Sequence, residues 1–511
     1  MQSKHPPRPS SGFEPLLLPA VRRRCTSPHV SVVASILLVL TLVLAGCITP
    51  KSTPNLERVF AEARTRTGKP PLIVIPGVLG SQLVNETTGE VVWPSAFRSS
   101  DDGLSLPVSA DLDRNRDKLR ARNIVDTARL AKLAPEVYVY HELLVALKKY
   151  GGYKEGDWNN PGEDGDHDTF YVFAYDWRRD NVESARELIA RIESLKRKLD
   201  RPDLRFNVLA HSMGGLVARY AAMYGGEELA PDDVQPVPTW KGATHINKIF
   251  MFGTPNEGSA DAFSTLLEGY SLTDGLRRRL PLLNKLSSED IFTAPSVFQL
   301  LPHPAAVRFL DEDLRPIELD IYDPAVWRRY GWSPVTDPEY RDRFARGKTR
   351  GDNAPYQKGS LDDLDAYFAL VLNRAKRFHR ALDVIVSDPP VSLFAFGGDC
   401  EDTLAAPLLL FDQKKQRWNT IVRPRAFRTS TGRRVSQKEA TEAMSAPGDG
   451  RVTRHSLLGE DLGGDRRVVS LFGSALPIVY AVFACDLHGD LQNNKILQDN
   501  ALTALVNEVM K

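Results

Sequence analysis

The sequence predicts an α/β protein: a mostly parallel, doubly wound sheet with a largely helical cap inserted into it. Three observations carry this. Short apolar runs alternate with amphipathic segments from residue 71 to residue 252, and parallel strands covered on both faces read as continuous apolar runs. One such run, Phe206-Asn207-Val208-Leu209, passes through Ala210-His211-Ser212-Met213-Gly214 into a helical segment, so a strand turns sharply into a helix around a single serine. The alternation then stops over residues 259–382, where the pattern is mostly helical and broken by Pro-rich turns, and resumes at residues 391–396.

The chain has 511 residues, 42% apolar and 26% charged, with a net charge of +1. That composition is ordinary for a globular protein, and the lack of a basic stripe removes the electrostatic case for nucleic acid binding. The N-terminus reads as a targeting segment. Arg22-Arg23-Arg24 precedes an apolar stretch over 30–44 that ends in Leu44-Ala45-Gly46-Cys47. The stretch is shorter than the roughly 20 residues a membrane span needs, and the small residues suit signal peptidase. The cysteine resembles that of a bacterial lipobox, which implies cleavage before Cys47 and lipid attachment to it; a plain signal peptide or an uncleaved anchor is the alternative. Residues 1–46 are therefore expected to be a lipoprotein signal peptide and 47–69 a polar tether.

Order begins at Pro71-Leu72-Ile73-Val74-Ile75-Pro76, a short apolar run that ends in Gly77 as a buried parallel strand would. The first part of the core is expected over 70–258. It holds a helix over 137–150, a strand over 169–175, a helix capped by Asp180 or Asn181, the serine elbow with its helix, and a strand at Ile249-Phe250-Met251-Phe252. The cap is expected over 259–385. The second part of the core, over 386–511, holds strands at 391–396 and 478–484, a hairpin-like stretch over 408–422 and a final helix over 494–510.

The elbow serine has two readings. Ser212 caps the following helix, or it is a nucleophile whose hydroxyl the turn lifts clear of the sheet, with the Met213 N–H aimed at a developing oxyanion. A serine nucleophile needs a base, and the base needs an acid. Of the histidines after Ser212, only His488 directly follows a strong apolar strand. Three aspartates compete for the acid. Asp449 lies between two glycines in Gly448-Asp449-Gly450-Arg451-Val452; Asp399 and Asp402 follow the strand ending at Gly398, where position slightly favours them. All three also fit simple turns. A second oxyanion donor is expected from the loop after the first strand, at Val78 with Leu79 beside it. Four cysteines occur. Of these Cys400 and Cys485 follow strand-like runs, and export permits a disulfide between them, with two buried thiols as the alternative.

Taken together, Pro76-Gly77-Val78-Leu79-Gly80-Ser81-Gln82-Leu83 with Trp93, Tyr175-Asp176-Trp177-Arg178, Ala210-His211-Ser212-Met213-Gly214-Gly215, Gly253-Thr254-Pro255, Gly448-Asp449-Gly450-Arg451-Val452 and His488-Gly489 resemble, in this order, the motifs of the lecithin:cholesterol acyltransferase family. Departures are Arg451, where a small or hydroxyl residue is usual, Asn256-Glu257-Gly258 after the Gly-Thr-Pro motif, and the absence of cysteine between Val91 and Leu130. The resemblance implies an α/β-hydrolase core with membrane-binding and cap insertions, and a fatty acyl group taken from a phospholipid through an acyl-enzyme. It also implies Asp449 as the acid and Val78 as the first oxyanion donor. The expected activity is an exported, lipid-anchored serine esterase or O-acyltransferase acting on a lipid ester, which needs no metal or organic cofactor. A hydrolase-fold binding lipoprotein, or a serine peptidase or amidase, are the rivals.

Overall fold

The computed structural model describes residues 53–94, 103–129, 136–271, 285–303, 308–347, 360–384, 386, 388–460 and 475–507. The expected signal peptide and Cys47 lie outside them. Seven strands form the central sheet: β1 (Leu72–Ile75), β2 (Lys154–Glu155), β3 (Thr169–Val172), β4 (Phe206–His211), β5 (Ile246–Phe252), β6 (Ser392–Gly398) and β7 (Ile478–Ala484). Their spatial order is β7-β6-β5-β4-β1-β3-β2, and every neighbouring pair is parallel. Every residue of β1 and β4 is buried, as helices on both faces require. After β1 the chain runs to the edge strand β2, returns to β3 beside β1, then crosses to β4 and builds outward on the other side through β5, β6 and β7. The crevice beyond the carboxyl ends of β1 and β4 is thus the switch point where an open parallel sheet binds its ligand.

The helices of the described residues include α1 (His141–Lys149), α2 (Asn181–Lys198), α3 (Met213–Tyr224), α4 (Ala260–Glu268) and α5 (Leu361–Leu382). α2 starts where Asp180 accepts from the Val182 N–H and buries the stripe Val182, Ala185, Leu188, Ile189, Ile192 and Leu195. α3 is buried along its whole length. Its Arg219 donates to Asn256 Oδ1 at 2.8 Å and to the Leu382 carbonyl at 2.7 Å. The expected helix over 137–150 begins only at His141, because Glu136–Tyr138 pairs with Thr127–Arg129 instead. The last helix, α6, runs Lys495–Val506.

The cap draws on two stretches of chain. Helices α4 and α5 pack with shorter helices around an aromatic cluster, in which Phe263 meets Trp332 edge-on at 4.7 Å and Trp327 at 5.8 Å. Phe309–Leu310 and Pro316–Ile317 form one side of a small four-stranded sheet. Its other side is the hairpin Leu408–Asp412 with Arg417–Ile421. The sequence places this hairpin in the returning core; it sits on the cap because Leu408 and Ile421 bury their side chains with Leu310 in a separate apolar cluster. A parallel sheet covered by helices, with a cap over its carboxyl edge, is an α/β-hydrolase fold. Among the described residues, no helix is long and apolar enough to cross a membrane.

Candidate active site

The elbow between β4 and α3 puts Ser212 at φ 53°, ψ −127°, a region costing a non-glycine residue on the order of 1–3 kcal/mol. The surrounding structure enforces it. The Ser212 N–H donates to the Phe252 carbonyl at 2.7 Å. Gly214 cannot carry a side chain, since its Cβ would stand 2.6 Å from the Pro76 carbonyl oxygen. Ser212 makes no side-chain cap bond to α3. Its Oγ instead lies 2.9 Å from His488 Nε2.

His488 follows β7 in a short loop and is 8% exposed. Its Nδ1 lies 2.8 Å from Asp449 Oδ2, and its backbone N–H donates to the Asp449 carbonyl at 2.9 Å. A carboxylate only accepts, so the Nδ1 of a neutral His488 carries the proton and Nε2 faces Ser212 as acceptor. Asp449 is 2% exposed. Its second oxygen, Oδ1, accepts from the Val452 N–H at 2.7 Å and the Arg451 N–H at 3.0 Å. The flanking glycines are required: a Cβ on Gly448 would stand 2.4 Å from the Val452 carbonyl oxygen, and Gly450 sits at φ +88°. The strand Ser445–Gly448 that delivers Asp449 pairs antiparallel with Glu401–Leu404.

The structure does not bring the competing aspartates to His488. Asp402 is exposed on Glu401–Leu404, and Asp399 Oδ1 lies 3.6 Å from Cys400 Sγ. Cys400 and Cys485 form a disulfide that ties the segment after β6 to the segment after β7, three residues before His488.

The loop after β1 lies against the serine, since a Cβ on Gly77 would stand 2.7 Å from Ser212 Cβ. Leu79 turns through φ 64°, and its carbonyl accepts from Trp93 Nε1 at 2.8 Å. Val78 follows Gly77 in this loop, and Met213 is the first residue of α3, whose leading N–H groups have no partner within the helix. Behind the loop, Arg178 is buried between Asp176 and Asp117, donating to the two carboxylates at 2.6–3.0 Å. The Asp176–Arg178 pair locks the end of the segment that follows β3.

Ser212 and His488 open onto a cavity of about 390 Å³, walled largely by apolar side chains such as Val78, Leu79, Ile291, Val297 and Leu300. Two sets of contacts at this cavity carry no local mark in the sequence. Arg451 crosses from core to cap, pairing with Asp261 at 2.7 Å and lying 4.7 Å over the Tyr270 ring. Tyr140 and His211 are hydrogen-bonded at 2.8 Å directly behind Ser212. His211 stood in view as the residue before the serine, but nothing local marked its partner.

Residues 114–333 match the family model of lecithin:cholesterol acyltransferase. Over that stretch the chain is lecithin:cholesterol acyltransferase-like. Among solved structures, the Tle4–Tli4 complex superposes with a TM-score of 0.53 at 12% identity, covering 86% of this chain and 99% of that one. The chain also matches EstA from Clostridium botulinum (TM-score 0.30, 13% identity, 90% and 92% covered). A further match is the Bacillus licheniformis lipase BlEst2 in mature form (TM-score 0.29, 10% identity, 86% and 92% covered). No curated protein matches the sequence.

Proposed function

We propose that this protein is a serine-dependent lipid-ester hydrolase or acyltransferase that takes a fatty acyl group, from a phospholipid, onto Ser212. The family likeness supports lipid-ester hydrolase or acyltransferase activity. The observation that carries the finer reading is the unbroken hydrogen-bonded series Asp449–His488–Ser212 opening onto a largely apolar cavity.

In this reading Ser212 Oγ attacks the ester carbonyl while His488 Nε2 takes its proton. Asp449, held by two backbone N–H groups, keeps the imidazole in the working tautomer and offsets its positive charge. The Met213 and Val78 N–H groups receive the oxyanion; loss of one such donor costs about 10² to 10³ in turnover. The intermediate collapses as His488 returns the proton to the departing alcohol. An acyl-Ser212 remains, and water or an alcohol, activated by His488, removes the acyl group. The apolar walls suit an acyl chain. Lipid attached to Cys47 would hold the enzyme at its substrate's surface; the residues around Cys47 support this, and it is tested by radiolabelled palmitate in cells and its loss in Cys47→Ala.

The test is incubation with a phospholipid labelled in its acyl chain, with and without an acceptor alcohol. Labelled fatty acid or labelled ester is expected. Free fatty acid alone would exclude the transferase branch, and no acyl release from any lipid or simple ester would overturn the reading.

A further inference from the structure

The loop after β1 and the loop that carries His488 are joined behind Ser212 by a buried series of hydrogen bonds. The Gly77 N–H lies 2.9 Å from Tyr140 Oη, Tyr140 Oη lies 2.8 Å from His211 Nδ1, and His211 Nε2 lies 3.0 Å from the His488 carbonyl oxygen. Chemistry sets the direction of every bond. A carbonyl only accepts, so His211 Nε2 carries the proton and Nδ1 of the neutral ring is an acceptor. Tyr140 must then donate its O–H to Nδ1, leaving its lone pairs for the Gly77 N–H.

Two further facts hold this polarity. Burial, then the neighbouring His488, push His211 down to about 3, so the ring stays neutral. Burial raises the Tyr140 phenol, so its proton stays in place. The same region is braced once more where the Val139 carbonyl accepts from Gln492 at 2.6 Å and Asn493 at 2.9 Å, just after the His488 loop.

We propose that Tyr140 and His211 are positioning residues that keep the Gly77-Val78 backbone and the His488 imidazole in register across Ser212. The proposal rests on Ser212 being the nucleophile. Neither residue takes a proton from the reaction; each acts through the backbone of a residue that does the chemistry or adjoins one. Without the Tyr140 hydroxyl, His211 Nδ1 loses its donor and the ring is held only by the bond from Nε2 to the His488 carbonyl. The Gly77 N–H simultaneously loses its acceptor.

The experiment compares Tyr140→Phe, His211→Leu and His211→Gln on a short-chain chromogenic ester, with rates divided by active serine counted by fluorophosphonate titration, and Ser212→Ala with its rate taken per total protein. Tyr140→Phe keeps ring and volume. We expect its KM to change less than about twofold, while kcat and the rate of fluorophosphonate capture fall together by about 10- to 100-fold, as a displaced reacting group would require. His211→Gln, whose amide N–H reaches toward the position of Nε2, should recover part of what His211→Leu loses. Unchanged kcat per active serine in both Tyr140→Phe and His211→Leu, with only a lower Tm, would overturn the proposal by making the pair purely structural. Full activity in Ser212→Ala would instead overturn the nucleophile assignment.

Discussion

Substituting Asp449 by Asn tests the site at its most constrained atom. In the native protein Oδ1 accepts two backbone N–H bonds, from Val452 at 2.7 Å and Arg451 at 3.0 Å, while Oδ2 faces His488 Nδ1 at 2.8 Å. An amide has one acceptor oxygen. The two N–H donors claim it, so the NH₂ group must face His488. The imidazole then meets a donor where it had an acceptor, moves its proton to Nε2 and presents N–H to Ser212 Oγ. A base that already carries a proton on the working nitrogen cannot take one from serine. The steric change is nil and Asp449 is almost fully buried, so no water replaces the lost acceptor. The same tautomer error in a serine protease costs about 10⁴ in kcat, equivalent to about 5.4 kcal/mol of barrier at 1.36 kcal/mol per decade. Chromogenic ester hydrolysis by Asp449→Asn should fall by that order, with thermal unfolding close to native. Asp402→Asn, on an exposed strand position, should be near native in both. Retention of more than a tenth of the native rate in Asp449→Asn, or a comparable collapse in Asp402→Asn, would refute the reasoning.

Three other outcomes follow from named contacts. Arg178→Met leaves Asp176 and Asp117 facing each other without their shared cation, and should cost about 3–5 kcal/mol in urea unfolding; a loss below 1 kcal/mol would contradict the role given to the pair. Opening the Cys400–Cys485 disulfide, which closes a separation of 85 residues, with a dithiol should lower stability by about 2–4 kcal/mol, read as a fall in Tm, and an unchanged Tm would contradict it. Acid should destabilise the protein through its buried imidazoles: burial lowers His211 to about 3 and His379 to about 4. Unfolded, both take up protons near 6.5. Below that pH the unfolded chain binds more protons than the native one, so stability is complete above 6.5 and falls as the pH drops toward 4. The urea midpoint should therefore decline from pH 6.5 to 4.5, and a flat midpoint would contradict the neutral buried state.

The sheet was legible where the pattern is local. Leu72-Ile73-Val74-Ile75 and Phe206-Asn207-Val208-Leu209 read as buried strands because both faces of the sheet are covered, leaving no polar side to alternate. Lys154–Glu155 was not legible as a strand, since it is a short, exposed and charged edge. At the site, Ser212 announced itself through the small residues its turn requires, and His488 through its place after β7. Asp449 did not stand apart from Asp399 and Asp402 by position alone. What delivers it to His488 is the pairing of Ser445–Gly448 with Glu401–Leu404, a long-range register that no local pattern carries. The same holds for Tyr140 and His211, which meet across 71 positions, and for the 408–421 hairpin, whose apolar residues suit the cap sheet as well as the core.

The most direct measurement is peptide mapping of the native protein after reaction with a fluorophosphonate, alongside ester turnover by Ser212→Ala. The account predicts a single adduct on Ser212, abolished by prior unfolding, and turnover by Ser212→Ala lowered by several orders of magnitude. Hydrolysis that survives the loss of this hydroxyl, or an adduct carried by some other side chain while Ser212 stays unmodified, would contradict it.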